Sequence, residues 1–146
     1  MNIRPASMDD LDGLLEIEVS CFGSERFDSK MLTSIMLDER NETFVAEEGH
    51  VIIGSAMVHH DPALGRSRIL SIAILPSERE RGKGRALLEH LEEMARSKGS
   101  KIMELEVRIV NVAAIGLYLS SGYRPQGIIP NYFGRGEDAL YMEKSL

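Results

Sequence analysis

A short basic segment at residues 78–85, with the sequence ERERGKGR, holds the residues whose types and spacing most clearly offer chemistry. Four of its side chains are cationic although the chain has a net charge of −6: Arg79, Arg81, Lys83 and Arg85. Gly82 and Gly84 have no Cβ atom, so a phosphate can approach the backbone closely. A helix that follows would point unpaired N–H groups and its positive dipole end at the same place. The segment therefore predicts a pyrophosphate-binding loop, and the alternative is a solvated basic turn.

The glycine spacing in this loop limits the kind of ligand. The loop lacks the G-x-x-x-x-G-K-S/T pattern of nucleoside triphosphate sites. It also lacks the third glycine of the G-x-G-x-x-G pattern of dinucleotide sites. We therefore expect a different phosphate-bearing cofactor.

The elements that would position the loop are a strand before it and a helix after it. Residues 69–75 form a short apolar, β-branched run that ends at Pro76, which predicts a buried strand. Gly99 lies where a left-handed helix cap is expected. Between the loop and this cap, small and apolar residues recur at helical spacing: Gly84, Leu87, Leu88, Leu91, Met94 and Ala95.

The N-terminal half predicts a strand at residues 2–4, two helices and a β-hairpin. The first helix is expected to begin near Met8, after Ser7 as N-cap, and to pack through a stripe of Met8, Leu11, Leu15, Val19 and Phe22, with Leu14 beside it. The second is expected to follow Asp28 or Ser29 and to bury Leu32, Ile35 and Met36. Residues 43–47 and 51–59 predict the antiparallel hairpin, with a bulge marked by Gly54.

The C-terminal part predicts strand, helix, strand and strand. Residues 102–109 alternate between apolar and polar side chains, which is typical of a strand with one buried face. Asn111 can cap a helix that runs to about residue 120 and ends at Gly122. Strands at residues 124–129 and 138–144 would enclose a loop at residues 130–136. The whole pattern predicts an α/β fold in which the strands on either side of the central helix are parallel and the basic loop lies at the end of the first of them.

Composition sets further limits on the class of protein. With 146 residues, 43% of them hydrophobic, the chain is expected to form one globular domain over residues 1–146. It has neither a long apolar run nor a charged leader, so we expect a cytoplasmic location and no membrane partner. Its acidic balance argues against nucleic acid as a partner. Cys21 is the single cysteine and is expected to be inert, so no disulfide is predicted. The four His residues are scattered along the sequence, so no metal site is predicted.

Two sequence patterns resemble the GNAT acyl-CoA N-acyltransferases. Arg79-x-x-Gly82-x-Gly84 matches the R/Q-x-x-G-x-G/A signature of that family. The run LEVR at residues 105–108, continued by Asn111, Ala113-Ala114, Leu117-Tyr118 and Gly122-Tyr123, looks like that of RimI-type protein N-terminal acetyltransferases. The C-terminal Asn131-Tyr132-Phe133 followed by EDA at residues 137–139 is similar to the same group's ending.

The resemblance implies a GNAT-like mixed, mostly antiparallel sheet with helices on both faces and one parallel strand pair that forms the acetyl-CoA cleft. It implies that the loop amides hold the coenzyme A pyrophosphate, at Arg79, Glu80, Arg81, Gly82, Lys83, Gly84 and Arg85. Backbone groups of Ile72, Ala73 and Ile74 would contact the acetyl and pantetheine portions. Asn111 would contact coenzyme A in addition to capping its helix, and Tyr118 would also contact the cofactor.

The resemblance also implies a reaction, which is direct acetyl transfer from acetyl-CoA to an N-terminal α-amine in a ternary complex. Glu106 would be the general base and Tyr118 the general acid, since a hydroxyl of pKa about 10 can protonate a thiolate of pKa about 8.5. From the residues alone, the alternative for Glu106 is a solvated acid on the strand face, and the alternative for Tyr118 is a tyrosine packed in the core. Phe27 and Tyr132 would contact the substrate, a protein or peptide N-terminus, with ribosomal proteins among the candidates.

Departures from the family pattern leave the substrate open. The loop after the first helix lacks both prolines of the family's C-F-P-x-P-W/Y pattern, and Phe133 replaces the second tyrosine of the usual pair. Two alternatives therefore stand beside N-terminal acetylation: acetylation of small amines or lysine side chains, and a non-catalytic acyl-CoA-binding regulatory domain. The sequence gives no indication of the oligomeric state.

Overall fold

The fold is known from a computed structural model that describes residues 1–79 and 81–146, and Glu80 lies outside the described residues. The prediction that Glu80 contacts the cofactor therefore lies outside the described residues. The described helices are α1 (Leu11–Cys21), α2 (Ser29–Leu37), α3 (Lys83–Ser97) and α4 (Val112–Ser120). The described strands are β1 (Asn2–Pro5), β2 (Asn41–Glu48), β3 (Val51–Asp61), β4 (Arg66–Ile74), β5 (Ile102–Arg108), β6 (Arg124–Gly134) and β7 (Glu137–Ser145).

The strands form one sheet in the order β1-β2-β3-β4-β5-β7-β6, flanked by helices. The pair β4–β5 is parallel, with Arg66 opposite Ile102, Ser67 opposite Met103 and Arg68 opposite Glu104. The pairs β1–β2, β2–β3, β5–β7 and β6–β7 are antiparallel. This topology confirms the predicted mixed, mostly antiparallel α/β sheet with one parallel pair.

The chain divides into two compact units. The first consists of Met1–His59 with Leu70–Leu91, and the second of His60–Ile69 with Glu92–Leu146. Within the residues that the structure describes, no helix is long and apolar enough to cross a membrane.

The core of the first unit corrects the predicted face of α1. Leu14 and Ile17 are buried in α1, whereas Met8 and Val19, which the predicted stripe includes, are 44% and 61% exposed. Met8 is exposed because it belongs to a separate 3₁₀ turn before α1 begins at Leu11. Val19 is exposed because each step of four residues from Leu11 turns by about 40° away from the face of Leu14 and Ile17. A core cluster of α1, α2, β2 and β3 side chains forms as a result, at Leu14, Leu32, Val45 and Met57.

The β2–β3 hairpin contains the predicted irregularity beside Gly54. Gly54 lies opposite Ala46, but the next residue, Glu47, pairs with Ile52, so β3 has one extra residue at this point. A Cβ atom on Gly54 would lie 2.6 Å from the Ala73 carbonyl oxygen, which is too close for any side chain. Glycine is therefore required where β3 bulges against the end of β4.

The second unit differs from the sequence prediction at two strand ends. β5 ends at Arg108, and Ile109 is 41% exposed, because the residue lies beyond the alternating, half-buried part of the strand. The predicted loop at residues 130–136 is mostly strand, since β6 continues to Gly134. Its irregularity is a local register shift around Asn131, which has φ of +57° and whose N–H donates to the Asp138 carboxylate at 2.9 Å.

Candidate active site

The loop before α3, defined as the Gly82 loop (residues 78–85), has the backbone geometry of an anion site. Gly82 has φ of +74°, a left-handed conformation that favours glycine, and open space lies where its Cβ would be. Its carbonyl oxygen accepts the N–H of Ala86 at 3.0 Å, so the amides just before Ala86 belong to the first turn of α3. First-turn N–H groups have no acceptor within their own helix and attract anions. The predicted arrangement of strand, glycine loop and helix N-terminus is therefore present.

Lys83 has a different environment from the one expected for a phosphate-binding lysine. Its Nζ lies 2.6 Å from Glu78 and 3.0 Å from Glu48, and the side chain is only 9% exposed. Hydrogen bonds to these two carboxylates, Glu78 first, raise the pKa of Lys83. The Lys83 ammonium is thus matched by carboxylates, and it links the Gly82 loop to the end of β2.

The end of β4 is held by two side chains. The Ile74 carbonyl oxygen accepts hydrogen bonds from Arg79 Nε at 2.9 Å and from Cys21 Sγ at 3.4 Å. Burial raises the pKa of the Cys21 thiol, and the nearby Arg79 opposes this only in part. Cys21 therefore stays a neutral thiol at pH 7, which agrees with the inert role expected of it. Ala73 and Ile74 are buried, whereas Ile72 is half-buried.

The second unit contains an open groove of about 290 Å³, named here the Glu106 groove. It is lined by Arg68, Glu106, Tyr141 and four β6 residues, Gln126, Gly127, Ile128 and Ile129. Glu106 has a side chain that is only 8% exposed, and its Oε1 is in direct ion-pair contact with Arg68 Nη1. The sequence alternative of a freely solvated acid is therefore excluded by the structure.

Further charges surround this ion pair. Glu104 accepts hydrogen bonds from Arg68 at 2.8 Å and Arg66 at 2.9 Å, and Arg66 also reaches Glu143 at 2.6 Å. The Tyr141 hydroxyl lies 2.5 Å from Glu104 and 2.7 Å from Glu143, and burial followed by these hydrogen bonds raises its pKa. Two guanidinium groups thus face three carboxylates, so the cluster carries one net negative charge and favours the approach of an ammonium or amine.

Tyr118 lies near the end of α4 and is 8% exposed. Burial raises its pKa to about 12, so the hydroxyl keeps its proton at neutral pH. Its ring packs edge to face on Tyr123, with 5.6 Å between the ring centroids, and the Tyr123 hydroxyl donates to Glu92 at 2.8 Å. The protonated state that an acid requires is therefore secured by burial.

The remaining predicted site residues are placed as follows. Asn111 Oδ1 accepts the N–H of Ala114 at 3.1 Å, which confirms the predicted cap of α4. Phe27 packs partly buried against the core cluster of the first unit, and its N–H donates to Glu18 at 2.7 Å. Tyr132 is 48% exposed on β6 and its ring lies edge to face on Phe133, with 4.9 Å between centroids. Asn111 and Tyr132 are therefore exposed, whereas Phe27 is partly buried.

Comparison with known proteins adds a decisive observation. Residues 11–123 match the family model described as the acetyltransferase (GNAT) family. The chain belongs to the GNAT family. The matched residues lie in both compact units, so the family pattern is not confined to one of them.

Individual GNAT relatives extend over nearly the whole chain. A Bacillus subtilis (strain 168) protein, provisionally named ribosomal protein bS18-alanine N-acetyltransferase, is 33% identical over 144 residues, which cover 96% of this chain and 92% of that protein. A Sulfolobus acidocaldarius N-alpha-acetyltransferase is 30% identical over 155 residues, with 99% and 92% coverage. The crystal structure of the ribosomal-protein-S18-alanine N-acetyltransferase from Escherichia coli matches with a TM-score of 0.87 and 31% identity, covering 99% of this chain and 92% of that one. The chain is accordingly an N-acetyltransferase of the GNAT fold.

In this GNAT chain, the sequence prediction missed Arg66, Arg68 and Tyr141 as neighbours of the proposed base. A partial signal was present, because Arg66 and Arg68 are two residues apart on one predicted strand, and Glu104 and Glu106 are two apart on its parallel neighbour. Side chains two apart share a face of a sheet. The sequence does not specify the register between the two strands, and so did not bring the charges together.

The raised pKa of Tyr118 predicts an alkaline loss of stability. Because the folded-state pKa, about 12, exceeds the unfolded value of about 10, its contribution is fully present below pH 10 and is lost as the pH rises towards 12. Tyr118→Phe removes this titration and should flatten the decline in unfolding free energy between pH 9.5 and 11.5, by about 2 kcal/mol. Urea unfolding curves of both proteins across this range, normalised to pH 7, measure the difference. Parallel declines would show that Tyr118 titrates as an exposed phenol.

Proposed function

We propose that this N-acetyltransferase transfers the acetyl group of acetyl-CoA to the α-amino group of a protein or peptide N-terminus. The observation that carries the proposal is the Glu106 carboxylate, which is almost fully buried yet lines an open groove with a net negative environment. An amine substrate fits such a groove because its cationic form is attracted there and its proton has an acceptor. The relatives' names, which specify an N-terminal or alanine amine, favour the same substrate class.

The Gly82 loop fits the pyrophosphate of acetyl-CoA. The left-handed turn at Gly82 and the first-turn amides of α3 supply N–H donors and a positive dipole end. Arg79 and Arg81 are exposed beside them and can match the phosphate charge. Lys83 contributes mainly its backbone N–H, since carboxylates already hold its ammonium. The backbone of residues 72–74 and the Asn111 side chain complete the proposed cofactor contacts.

The reaction proceeds by direct attack of the amine nitrogen on the thioester carbonyl carbon. A C–N bond forms and the C–S bond breaks, and the nitrogen loses one proton while the sulfur leaves as a thiolate. Glu106 accepts the proton, directly or through water, and Tyr118 provides a hydroxyl proton to the thiolate. Both groups are in the required protonation state at neutral pH, since Tyr118 is neutral and Glu106 is paired with Arg68 as a carboxylate.

Substrate contacts are proposed at Tyr132 and Phe27. The exposed ring of Tyr132 can bind the substrate backbone, whereas the partly buried Phe27 supports the shape of the loop between α1 and α2. We further propose that residues 1–146 act as one catalytic domain and that the substrates are cytoplasmic proteins, ribosomal proteins included.

Cofactor binding is predicted to depend on the backbone conformation of Gly82. Gly82→Val places a β-branched side chain at a φ of +74°, so the loop must rearrange. Affinity for acetyl-CoA, measured by calorimetry, should fall by more than about ten-fold. Gly99→Val is a matched control, because Gly99 also has a positive φ, +82°, and open space, but it lies at the opposite end of α3. Equal affinities for both variants would contradict the pyrophosphate assignment.

Loss of the Tyr118 hydroxyl should act on turnover rather than on binding. Tyr118→Phe keeps the ring and its packing on Tyr123, so the affinity for acetyl-CoA should change little. General acid catalysis contributes about 10²- to 10⁴-fold, and kcat should fall by a comparable factor under conditions where chemistry limits turnover. A kcat within two-fold of the wild type would show that the role of Tyr118 is structural and not catalytic.

Acetylation of peptides tests the substrate and the base together. Incubation of the protein with acetyl-CoA and a library of peptides, followed by mass spectrometry, should locate the acetyl group on α-amines in preference to lysine side chains. The physical reason is that about a tenth of an α-amine is already neutral at pH 7, against only about 0.04% of a lysine. Exclusive lysine or small-amine acetylation would reject the proposed substrate, and acetyl-CoA binding without turnover would indicate a regulatory domain.

The matched catalytic control is Glu106→Gln, which keeps the side chain's size and polarity but cannot accept a proton. Its kcat/KM should be depressed at neutral pH and should recover in part as the pH rises through the pKa of the amine, about 8. A pH–rate profile that parallels the wild type with equal rates near pH 7 would show that bulk water accepts the proton.

A further inference from the structure

Arg68 is the cation that contacts Glu106, and the proposed mechanism assigns it no role. Its Nη1 contacts Glu106 Oε1 and its Nη2 donates to Glu104 Oε1 at 2.8 Å, so a single guanidinium bridges both acids of β5. The Arg68 side chain is 34% exposed and lines the same groove as Glu106. It therefore lies where it can influence both the charge and the orientation of the proposed base.

The two carboxylates that share Arg68 differ in their other partners. Glu104 is also bonded by Arg66 and by the Tyr141 hydroxyl, so it would keep two donors if Arg68 were removed. Glu106, in contrast, has Arg68 as its ion-pair partner among the described contacts. Removal of Arg68 would leave an almost fully buried carboxylate beside Glu104 without that positive charge, which disfavours ionisation.

We propose that Arg68 is a positioning residue that holds Glu106 ionised and orients its carboxylate towards the groove. The inference rests on the proposed role of Glu106 as the base. An opposite charge in contact lowers the pKa of a carboxyl group by about 1–3 units, so Glu106 is ready to accept a proton across the whole range in which α-amines become neutral. The same contact makes Glu106 a weak base, which suits an α-amine better than the more basic lysine amine.

Other charged groups around Glu106 either favour or oppose the ionisation of its carboxyl group. On β5, Glu104 opposes ionisation of Glu106, whereas Arg108, two residues further along the strand, favours it and is also paired with Glu137 at 2.8 Å. On β7, the cross-strand partner Tyr141 is neutral and Glu143 adds a second carboxylate. On β4, Arg66 favours ionisation but is bonded to Glu104 and Glu143. The four β6 residues that line the groove have no ionisable side chain. Arg68 is thus the cation in direct contact with Glu106.

The test replaces Arg68 by methionine, which keeps much of the side-chain length but has no charge. In protein labelled with ¹³C at glutamate carboxyls, the Glu106 resonance is assigned by its loss in Glu106→Gln and titrated by NMR. Arg68→Met should raise the pKa of Glu106 by about one unit or more, and Arg68→Lys should restore much of the difference. Arg66→Met is the matched control: it removes an equal charge from the same strand and face, and should move the Glu106 pKa less.

Kinetics provide the second readout. The ratio of kcat/KM for Arg68→Met to that of the wild type cancels the titration of the substrate amine. It should fall as the pH drops from 8 through the Glu106 pKa that NMR gives for Arg68→Met, to about half of its pH 8 value at that pKa. In a Glu106→Gln background the same substitution should leave the ratio independent of pH. Because Arg68→Lys retains a cation, it keeps the test informative if the methionine variant is poorly folded.

The outcomes separate the two proposals. An unchanged Glu106 pKa in Arg68→Met, with a normal loss of activity in Glu106→Gln, would overturn the role of Arg68 and leave the base assignment standing. A wild-type pH profile in Glu106→Gln itself would reject Glu106 as the base, and the role of Arg68 with it. A pKa shift in Arg68→Met accompanied by a pH-independent activity ratio would likewise overturn the catalytic role of Arg68.

Discussion

Three carboxylates on β5 and β7 can be buried together only because two guanidinium groups of β4 lie among them. An unpaired buried charge is strongly destabilising, so Glu104, Glu106 and Glu143 require the cations of the neighbouring strand. The parallel register, which places Arg68 opposite Glu104, supplies them. A shift of one residue would turn both arginines to the other face, and the charge cluster therefore specifies the register of β4 against β5.

The lysine and the arginines of the Gly82 loop have different partners. Lys83 is held by Glu48 and Glu78, whereas Arg79 is anchored through its Nε on the Ile74 carbonyl oxygen. A guanidinium has five N–H donors in a planar fork, so an arginine can serve a backbone carbonyl with one edge and a phosphate with the other. A lysine ammonium bonded to two carboxylates has little left for a ligand. Lys83 therefore stabilises the loop, and in the proposed cofactor site anion recognition would fall to the arginines and the backbone amides.

The sequence predicted the elements and their order well, and the phase and register of the side chains less well. The α3 face and its terminal Gly99 were predictable because apolar spacing and a glycine cap are local signals. In the predicted stripe of α1, Leu11, Leu14 and Leu15 pack on the core as expected, whereas Met8 and Val19 are exposed. A 3₁₀ turn separates Met8 from the helix, and steps of four residues carry Val19 around to the exposed face. The partners of Glu106 and of Lys83 could not be derived, because they depend on which residues lie opposite one another across strands and loops. Local patterns thus identify the chemistry-bearing residues, whereas tertiary register determines their electrostatic partners.

Burial of Tyr118 limits what this residue can do in the proposed reaction. With a pKa of about 12, its hydroxyl is a weaker acid than a thiol of pKa about 8.5 by roughly 3.5 units, or about 5 kcal/mol for complete proton transfer. Full transfer before the C–S bond breaks is therefore unfavourable. A hydrogen bond from the same hydroxyl has no such penalty and strengthens as negative charge develops on the sulfur. Tyr118 is thus suited to act as the general acid through this hydrogen bond, which shares its proton with the sulfur as the C–S bond breaks.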